Sequence, residues 1–276
     1  MKSQFALAGG NVVGTDHQQI KANNQDAYLI SSTDMVTVAF VADGCGDRIS
    51  SPNSEIGAKL GVKIAVQVLL AHWPFLGQSS FWETVEQEIL AKIAVDALTI
   101  DSNFTRAIIE NFLFTLVGVV ITPNEAVFVS FGDGIIVVNG KETIIGPFPD
   151  NEPPYLAYKL LPTSLFKTSP DSLRFQIHKH ISTRELEHFL IGTDGTSQLT
   201  KITNELLPGK EIPVGPIEQF WAQDKNFANP FQIGRFLNQV NKNTIKVDWD
   251  QKTFERSFGL LEDDTTLIVG KRLQGG

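Results

Sequence analysis

Three apolar segments of this chain each run directly into an Asp-Gly pair, and a fourth begins with two acids. Asp-Gly is an ordinary turn dipeptide, so the pairs alone identify no function. Each apolar segment reads as a buried strand, and neighbouring strands of one sheet would bring the acids together. Crowded carboxylates repel one another unless cations neutralise them. The pattern therefore predicts an oxygen-ligand metal site formed by four acids: Asp43, Asp133, Asp194 and Asp263.

The composition narrows the possible partners and location. The 276 residues carry a formal net charge of −8, which disfavours a nucleic-acid partner because nucleic-acid phosphates are bound by clustered Lys and Arg. The apolar fraction of 42% is sufficient for a sizeable core, and we expect a single domain over residues 1–276. The single cysteine, Cys45, excludes an intramolecular disulfide and favours a cytoplasmic, reducing location.

Neither zinc nor a membrane is expected. The five histidines do not fall at the usual zinc spacings, and His178 and His180, on an alternating strand, are expected to be exposed. The most apolar stretch, Phe112–Ile121, is about half the length needed to cross a bilayer. The N-terminus has no long apolar segment, so no secretory signal is expected. We also expect the protein to be monomeric.

Three helices are predicted before the middle of the chain. Ser51-Pro52 is a good helix start, since proline is favoured at the first helical position, and apolar residues repeat at four-residue spacing as far as His72. A second helix is expected to begin with a capping box at Ser80–Glu83. The helical pattern resumes over 102–111. We interpret the apolar stripes of these helices as packing surfaces.

Strand patterns precede and follow these helices. Three strands come first, and Asp43 ends the third. After the helices, an antiparallel meander is predicted over 112–146, followed by a proline-rich surface excursion over 147–170. Further strands, a helix within 229–242 and a closing strand complete the pattern. This order indicates the α+β class, with antiparallel sheets packed together and helices outside.

Five short motifs occur in series along the chain: NNQDA (23–27), VADGCGD (41–47), SFGDG (130–134), GTDGTSQL (192–199) and EDDTT (262–266). Their order resembles the motif series of the metal-dependent type 2C serine/threonine protein phosphatases of bacterial type. The resemblance spans residues 21–266, and it lies in the series of motifs rather than in any one of them. It implies an α-β-β-α four-layer sandwich with two, or three, Mg²⁺ or Mn²⁺ ions at one end of the paired sheets.

The resemblance implies a metal-binding role for four residues. Asp43 would bridge two metals, and the carbonyl of Gly44 would bind one of them. Asp194 and Asp263 would bind the other ion. Hard divalent ions take oxygen ligands, and a glycine permits the close backbone approach that brings a carbonyl among carboxylates. Two ions about 3.5–4 Å apart can activate a bridging water for attack on phosphorus.

Other positions have implied roles around this centre. Asp26 stands where the family has a carboxylate that reaches the metals through water, and Asp133 where several members bind a weaker third ion. Lys21 replaces an arginine that grips the substrate phosphate, keeping the charge but losing the bidentate fork. Arg48 is a candidate to compensate. Gln25 replaces a common glutamate and weakens one metal site. The predicted catalytic residues are thus Lys21, Asp26 and Asp43.

Cys45 also invites comparison with thiol-dependent phosphatases. Such sites need a phosphate-binding loop with an arginine beside a low-pKa thiolate, whereas Cys45 is flanked by acids, which raise a thiol pKa. In the type 2C family this position varies, and in some members it is a histidine proposed to protonate the leaving group. We interpret Cys45 as space-filling, with tuning of activity by oxidation as the alternative.

Two functions remain open. The first is Mg²⁺- or Mn²⁺-dependent hydrolysis of phosphoserine and phosphothreonine on proteins by a metal-activated bridging water, in a signalling role. The alternative is a catalytically weak or inactive relative that binds phosphoproteins as a regulatory module, and Lys21 and Gln25 motivate it. An unrelated two-metal hydrolase, such as a phosphodiesterase, is disfavoured by the acidic charge and the lack of metal-spaced histidines.

Overall fold

A computed structural model describes residues 4–46 and 51–273 and contains two five-stranded antiparallel sheets. The strands are β1 (Phe5–Val12), β2 (Ala27–Ser32), β3 (Thr37–Ala42), β4 (Leu116–Ile121), β5 (Glu125–Phe131), β6 (Gly134–Val138), β7 (Lys141–Ile145), β8 (Gln176–Ser182), β9 (His188–Gly192), β10 (Thr244–Asp248), β11 (Thr253–Ser257) and β12 (Thr265–Arg272). The helices are α1 (Thr15–Gln19), α2 (Ser54–His72), α3 (Phe81–Ile100), α4 (Phe104–Asn111), α5 (Gln198–Lys201), α6 (Gln219–Ala222), α7 (Lys225–Ala228) and α8 (Gln232–Val240).

The two large sheets pack face to face. The first has the strand order β1-β12-β9-β6-β7, and the second has the order β2-β3-β4-β5-β8. Alternate side chains of each sheet point into a shared apolar layer. At its centre the rings of Phe128 and Phe189, one from each sheet, meet edge to face with centroids 5.6 Å apart.

Helices cover the outer faces of both sheets. α2 packs directly on the second sheet, and α3 and α4 pack mainly on α2 and on each other, so that their buried residues share one apolar cluster with that sheet. On the other side, α8 buries Ile233, Leu237 and Val240 against the first sheet. The apolar positions recur at helical spacing, which is why one face of each helix enters the core. The α-β-β-α four-layer sandwich of the α+β class is therefore confirmed.

Helix starts differ in detail from the sequence expectations. α2 begins at Ser54, beyond Pro52. Ser80 occupies the N-cap position of α3 as expected, but its side chain makes no capping hydrogen bond. Instead, the hydroxyl of Thr84 donates to the carbonyl of Ser80 at 3.0 Å. The capping box therefore locates the start of α3 without forming its usual side-chain bonds.

The expected single meander over 112–146 is wrong. β4 and β5 pair in the second sheet, whereas β6 and β7 pair in the first. The chain crosses between the sheets at Gly132 and Gly134, whose φ values of 97° and 142° favour glycine. The crossing places Asp133 between strands of two different sheets. β1 pairs with β12, from the other end of the described chain.

Two further segments differ from the sequence interpretation. The 147–170 segment is only partly a surface excursion, since Tyr155, Leu156 and Tyr158 are buried in the core beside α3. Burial of these apolar side chains stabilises their position in the core, although prolines flank them in the sequence. His178, expected to be exposed, is half-buried, and its Nε2 lies 2.8 Å from the hydroxyl of Ser130.

One helical segment, Ser54–Phe75, has the length and composition to cross a membrane. It is longer than the Phe112–Ile121 stretch on which the sequence interpretation relied. Half of its most apolar window is buried within the fold, and it packs against the β2 and β3 side of the second sheet. A core helix meets the same criteria, because burial and membrane insertion select for the same apolar side chains.

Candidate metal centre

The four acids of the Asp-Gly and acidic-pair motifs lie around one cavity of about 610 Å³. Asp43 follows β3, Asp133 lies between β5 and β6, Asp194 follows β9, and Asp263 precedes β12. Gly44 lines the same cavity. Antiparallel strands of two packed sheets thus contribute their ends to one place, as the sequence pattern indicated.

Mutual repulsion and burial raise the pKa values of these acids. Burial is the largest cause of the raised pKa of Asp43, followed by the charges of Asp26, Asp194, Asp263 and Asp133. Burial also raises the pKa of Asp133 to about 7, with the charge of Asp194 adding to the effect. For Asp263, burial and Asp194 raise the pKa to about 6. Ionising all of them together is costly unless positive charge enters the cavity.

Asp26 lies behind this cavity in a buried position. One of its oxygens, Oδ2, accepts a hydrogen bond from the hydroxyl of Thr193 at 2.8 Å. The other, Oδ1, is buried without a hydrogen-bond partner among the described residues. Burial and the charge of Asp264 raise the pKa of Asp26 well above its usual range. An unpartnered carboxylate oxygen next to acids is a ready acceptor for a proton or for a water on a cation.

The donor chemistry fits Mg²⁺ or Mn²⁺, although the side chains do not form a closed cluster. Within 4–46 and 51–273, no three His, Cys, Asp or Glu side chains are grouped tightly enough to hold a metal ion. The acids instead surround the cavity. A Cβ at Gly44 would lie 2.8 Å from the carbonyl oxygen of Ser54, so only glycine fits between the neighbouring backbones. Carboxylates and a close-lying backbone are the oxygen donors that these hard ions take.

Sequence reasoning missed Asp264, the second acid of the EDDTT motif. Its carboxylate is buried and accepts hydrogen bonds from the backbone N–H groups of Gly14, at 2.7 Å, and Gln25, at 2.6 Å. It also lies 2.9 Å from Nδ1 of His17. Asp264 therefore ties the segment before β2, which carries Asp26, to the start of β12. The doubled acid was the only sequence signal for it.

We expect Asp264→Ala to lower the free energy of unfolding by about 2–4 kcal/mol, because it leaves two buried N–H groups without an acceptor. Asp264→Asn keeps one carbonyl oxygen and should cost less than Asp264→Ala. Urea unfolding of the two variants and the unsubstituted protein measures the difference. Equal stability of all three would show that the backbone N–H groups find other partners.

A second residue pair that sequence reasoning missed holds the bend at Asp133. The hydroxyl of Ser130 donates to the carbonyl of Gly132 at 3.1 Å and lies 2.8 Å from Nε2 of His178. Ser130 is fully buried, so its hydrogen bonds are shielded from water. The single serine of β5 gave no sign of this contact, because His178 lies on β8, which pairs with β5 but is far from it in the sequence.

Lys21 lies apart from the acid cavity. It is exposed, has a φ of 56°, and lines a separate depression with Asn23 and Glu55. Gln25 lines both the depression and the acid cavity. The structure thus places four of the five predicted acids around the cavity, with Asp26 buried outside its lining, and it places Lys21 in the separate depression. Arg48, the other predicted phosphate-binding cation, lies outside the described residues.

The 147–170 segment also lines the acid cavity. Tyr155 and Tyr158 line the cavity with Glu152, whose Oε1 accepts a 2.7 Å hydrogen bond from the hydroxyl of Tyr158. Cys45 lines it too, and burial, followed by the contact with Cys45, raises the pKa of Tyr155. The thiol thus lies next to a tyrosine in the lining of the cavity, and its space-filling role stays a prediction.

Comparisons with known proteins agree with this architecture. The family model described as protein phosphatase 2C matches residues 13–232. No match was found among curated proteins. A bacterial serine phosphatase variant superposes with a TM-score of 0.50 at 12% identity, covering 97% of this chain and 98% of that chain. The same values hold for the serine/threonine phosphatase PstP/Ppp of Mycobacterium tuberculosis.

A sex-determining protein of C. elegans also superposes with a TM-score of 0.50, at 11% identity, over 96% of this chain and 64% of that chain. At such identities these likenesses establish the fold alone. The family match is the more informative, because it covers most of the chain and includes three of the four cavity acids. The chain belongs to the protein phosphatase 2C family.

Proposed function

We propose that this protein hydrolyses phosphoserine and phosphothreonine on proteins, using Mg²⁺ or Mn²⁺ held at the acid cavity. The observation that carries the proposal is the convergence of Asp43, Asp133, Asp194 and Asp263 on one cavity in a chain of the protein phosphatase 2C family. Asp43, Asp194 and Asp263, with the carbonyl of Gly44, are the proposed metal ligands. Asp133 is proposed to serve a weaker third ion.

The chemistry divides between ions and side chains. Bound divalent ions lower the pKa of water and neutralise charge on a phosphoryl group. Asp26 is proposed to accept a proton at Oδ1, since that oxygen is unpartnered and the carboxyl pKa is raised. Thr193 holds the other oxygen of Asp26 and so fixes the direction of Oδ1.

Lys21 is proposed to attract the substrate rather than to contact the reacting phosphorus. Its depression adjoins the acid cavity through Gln25, and an exposed lysine is a flexible point charge suited to long-range attraction. The acidic net charge of −8 favours a phosphoprotein over a nucleic acid as the substrate. We further propose that the protein is a monomer and that it is located in the cytoplasm, where conditions are reducing.

The alternative function is a phosphoprotein-binding module with little or no turnover. Two sequence features motivate it: Lys21 and Gln25 stand where the resemblance implies an arginine and a glutamate. It predicts that phosphopeptide binds without hydrolysis at every Mn²⁺ concentration.

We expect the purified protein to hydrolyse an aryl phosphate and a phosphothreonine peptide when Mn²⁺ is added, and to stop when the chelator EDTA is added. The reason is that the cavity acids need cations to be ionised together. Phosphate release with and without Mn²⁺ measures this directly. Binding of the phosphopeptide without phosphate release would favour the alternative, and release that is insensitive to EDTA would exclude the metal-dependent mechanism.

A further inference from the structure

The hairpin formed by β10 and β11 is a separate two-stranded sheet whose two faces differ in character. On one face Ile245 pairs with Arg256 and Val247 with Phe254. Trp249 and Lys252 extend this face near the turn, and together these residues line a shallow groove of about 350 Å³. We call this surface the hairpin face. The other face is polar and carries pairs such as Lys246 with Glu255.

The hairpin face is exposed to solvent although most of its residues are apolar. Trp249 is 83% exposed, Phe254 and Ile245 are each 61% exposed, and Val247 is 45% exposed. Neither strand packs closely against another helix or strand that the structure describes. An isolated two-stranded hairpin is marginally stable in water, and contiguous exposed apolar side chains mark interaction surfaces. The apolar side of the hairpin is therefore shielded from water only if another molecule covers it.

The charges on the hairpin face are both positive. Lys252 and Arg256 line the groove, and no Asp or Glu is among its lining residues. The Arg256 guanidinium carbon lies 5.1 Å from the centroid of the Phe254 ring. The nearby carboxylate of Asp248 accepts hydrogen bonds from backbone N–H groups of the turn. A planar guanidinium held on an aromatic ring is well placed to bind a carboxylate.

The apolar groove and its two positive charges together favour one class of binding partner over others. Two copies of the hairpin face would bring their own Lys252 and Arg256 side chains together, and like charges repel. The flat surface of an anionic bilayer would not fill the groove between these side chains. A segment of a partner protein with apolar side chains and carboxylates matches both the groove and its charges.

We propose that the hairpin face binds an acidic, apolar segment of a partner protein, with Trp249 and Arg256 as its main anchors. Exposed tryptophan and arginine are the side chains most often found to dominate binding energy at protein interfaces. None of the hairpin-face residues lines the acid cavity. This binding site is therefore additional to the proposed phosphatase function and does not depend on it.

The test uses two fluorescein-labelled synthetic nonapeptides, one of alternating Glu and Leu and one of alternating Lys and Leu. Fluorescence anisotropy with the full chain should show the Glu peptide binding at least about tenfold more tightly, and more weakly at high salt. Trp249→Ser and Arg256→Glu should each weaken this binding about tenfold or more. Lys246→Glu is the matched control, since it makes the same charge change on the opposite face and should alter binding less than about twofold.

Several results would overturn the proposal. These are equal affinity for the two peptides, equal weakening by Lys246→Glu and Arg256→Glu, and tighter binding to phosphatidylserine vesicles than to the Glu peptide. Self-association that Arg256→Glu abolishes would assign the face to a second copy instead. Aryl phosphate hydrolysis should be the same in all three variants, so a failure of the phosphatase proposal is separable from a failure of this one.

Discussion

Asp43→Asn is expected to lower Mn²⁺-dependent hydrolysis of an aryl phosphate by about 10³-fold or more, equivalent to about 4 kcal/mol of transition-state stabilisation. The pKa of Asp43 is raised by burial and by the charges of four neighbouring acids, Asp26, Asp194, Asp263 and Asp133. Asp43 is therefore a central member of the group of interacting carboxylates. Removing its charge removes the central metal ligand of the proposal.

The same substitution should have the opposite effect on stability without metal. Asp43 is buried among like charges, so a neutral amide of similar shape relieves repulsion in the metal-free protein. We expect Asp43→Asn to raise the melting temperature in EDTA while it abolishes turnover. Steady-state kinetics and thermal unfolding of the same preparation measure the two effects together.

Asp150→Asn is the matched control for Asp43→Asn. Asp150 lines the same cavity, but it is exposed and its Oδ2 lies 3.0 Å from Nζ of Lys167. An exposed ion pair contributes little, so we expect activity within about twofold of the unsubstituted protein and little change in melting temperature. Normal turnover by Asp43→Asn, or an equal loss in Asp150→Asn, would remove Asp43 from the proposed mechanism.

The second large effect is on the pH dependence of stability in the absence of metal. The pKa is raised to about 7 for Asp133 and to about 6 for Asp263, from an ordinary value of 3.8. A raised folded-state pKa means that the folded protein binds the proton more tightly than the unfolded chain. The resulting stability is fully present below pH 3.8 and is lost as the pH rises through about 6 to 7.

We therefore expect the free energy of unfolding in EDTA to fall by several kcal/mol between pH 5 and pH 8, at up to about 1.4 kcal/mol for each pH unit and each acid. Mn²⁺ should reverse the loss above pH 7, because bound cations favour the ionised acids. Metal at about 100 times its dissociation constant adds about 2.7 kcal/mol, or roughly 5–10 °C in melting temperature.

Urea unfolding from pH 5 to pH 8, with and without Mn²⁺, tests this expectation. Asp133→Asn should reduce the slope, since an amide does not titrate in this range. Stability that rises with pH in EDTA would contradict the electrostatic account of the cavity. A slope that persists unchanged in Asp133→Asn would assign the proton uptake to other groups.

Much of the fold and most of the site followed from local sequence patterns. The apolar segments ending in Asp-Gly indicated both the strands and the acids at their ends, because a strand pattern and the turn after it are properties of neighbouring residues. The four acids converge on one cavity as that pattern indicated. The order of five motifs identified the family that the comparison then confirmed.

The error in the predicted strand pairing has a clear physical cause. The 112–146 region was expected to form one meander, yet its chain changes sheets at Gly132 and Gly134. A hairpin signal shows where the chain turns and leaves open which strand it then joins. The predicted role of Lys21 in binding phosphate stays a prediction, and the structure places this residue in a depression that shares Gln25 with the acid cavity.

Neighbouring residues along the chain specified strands, helices, turns and the residue types of the site, because periodicity and turn chemistry act over a few positions. Contacts between distant segments specified the rest: the partner of each strand, the anchoring of Gly14 and Gln25 by Asp264, and the exposure of the hairpin face. These features depend on which surfaces meet when the whole chain packs. The free energy of burial between segments that are far apart in the sequence cannot be read from the residues of one segment alone.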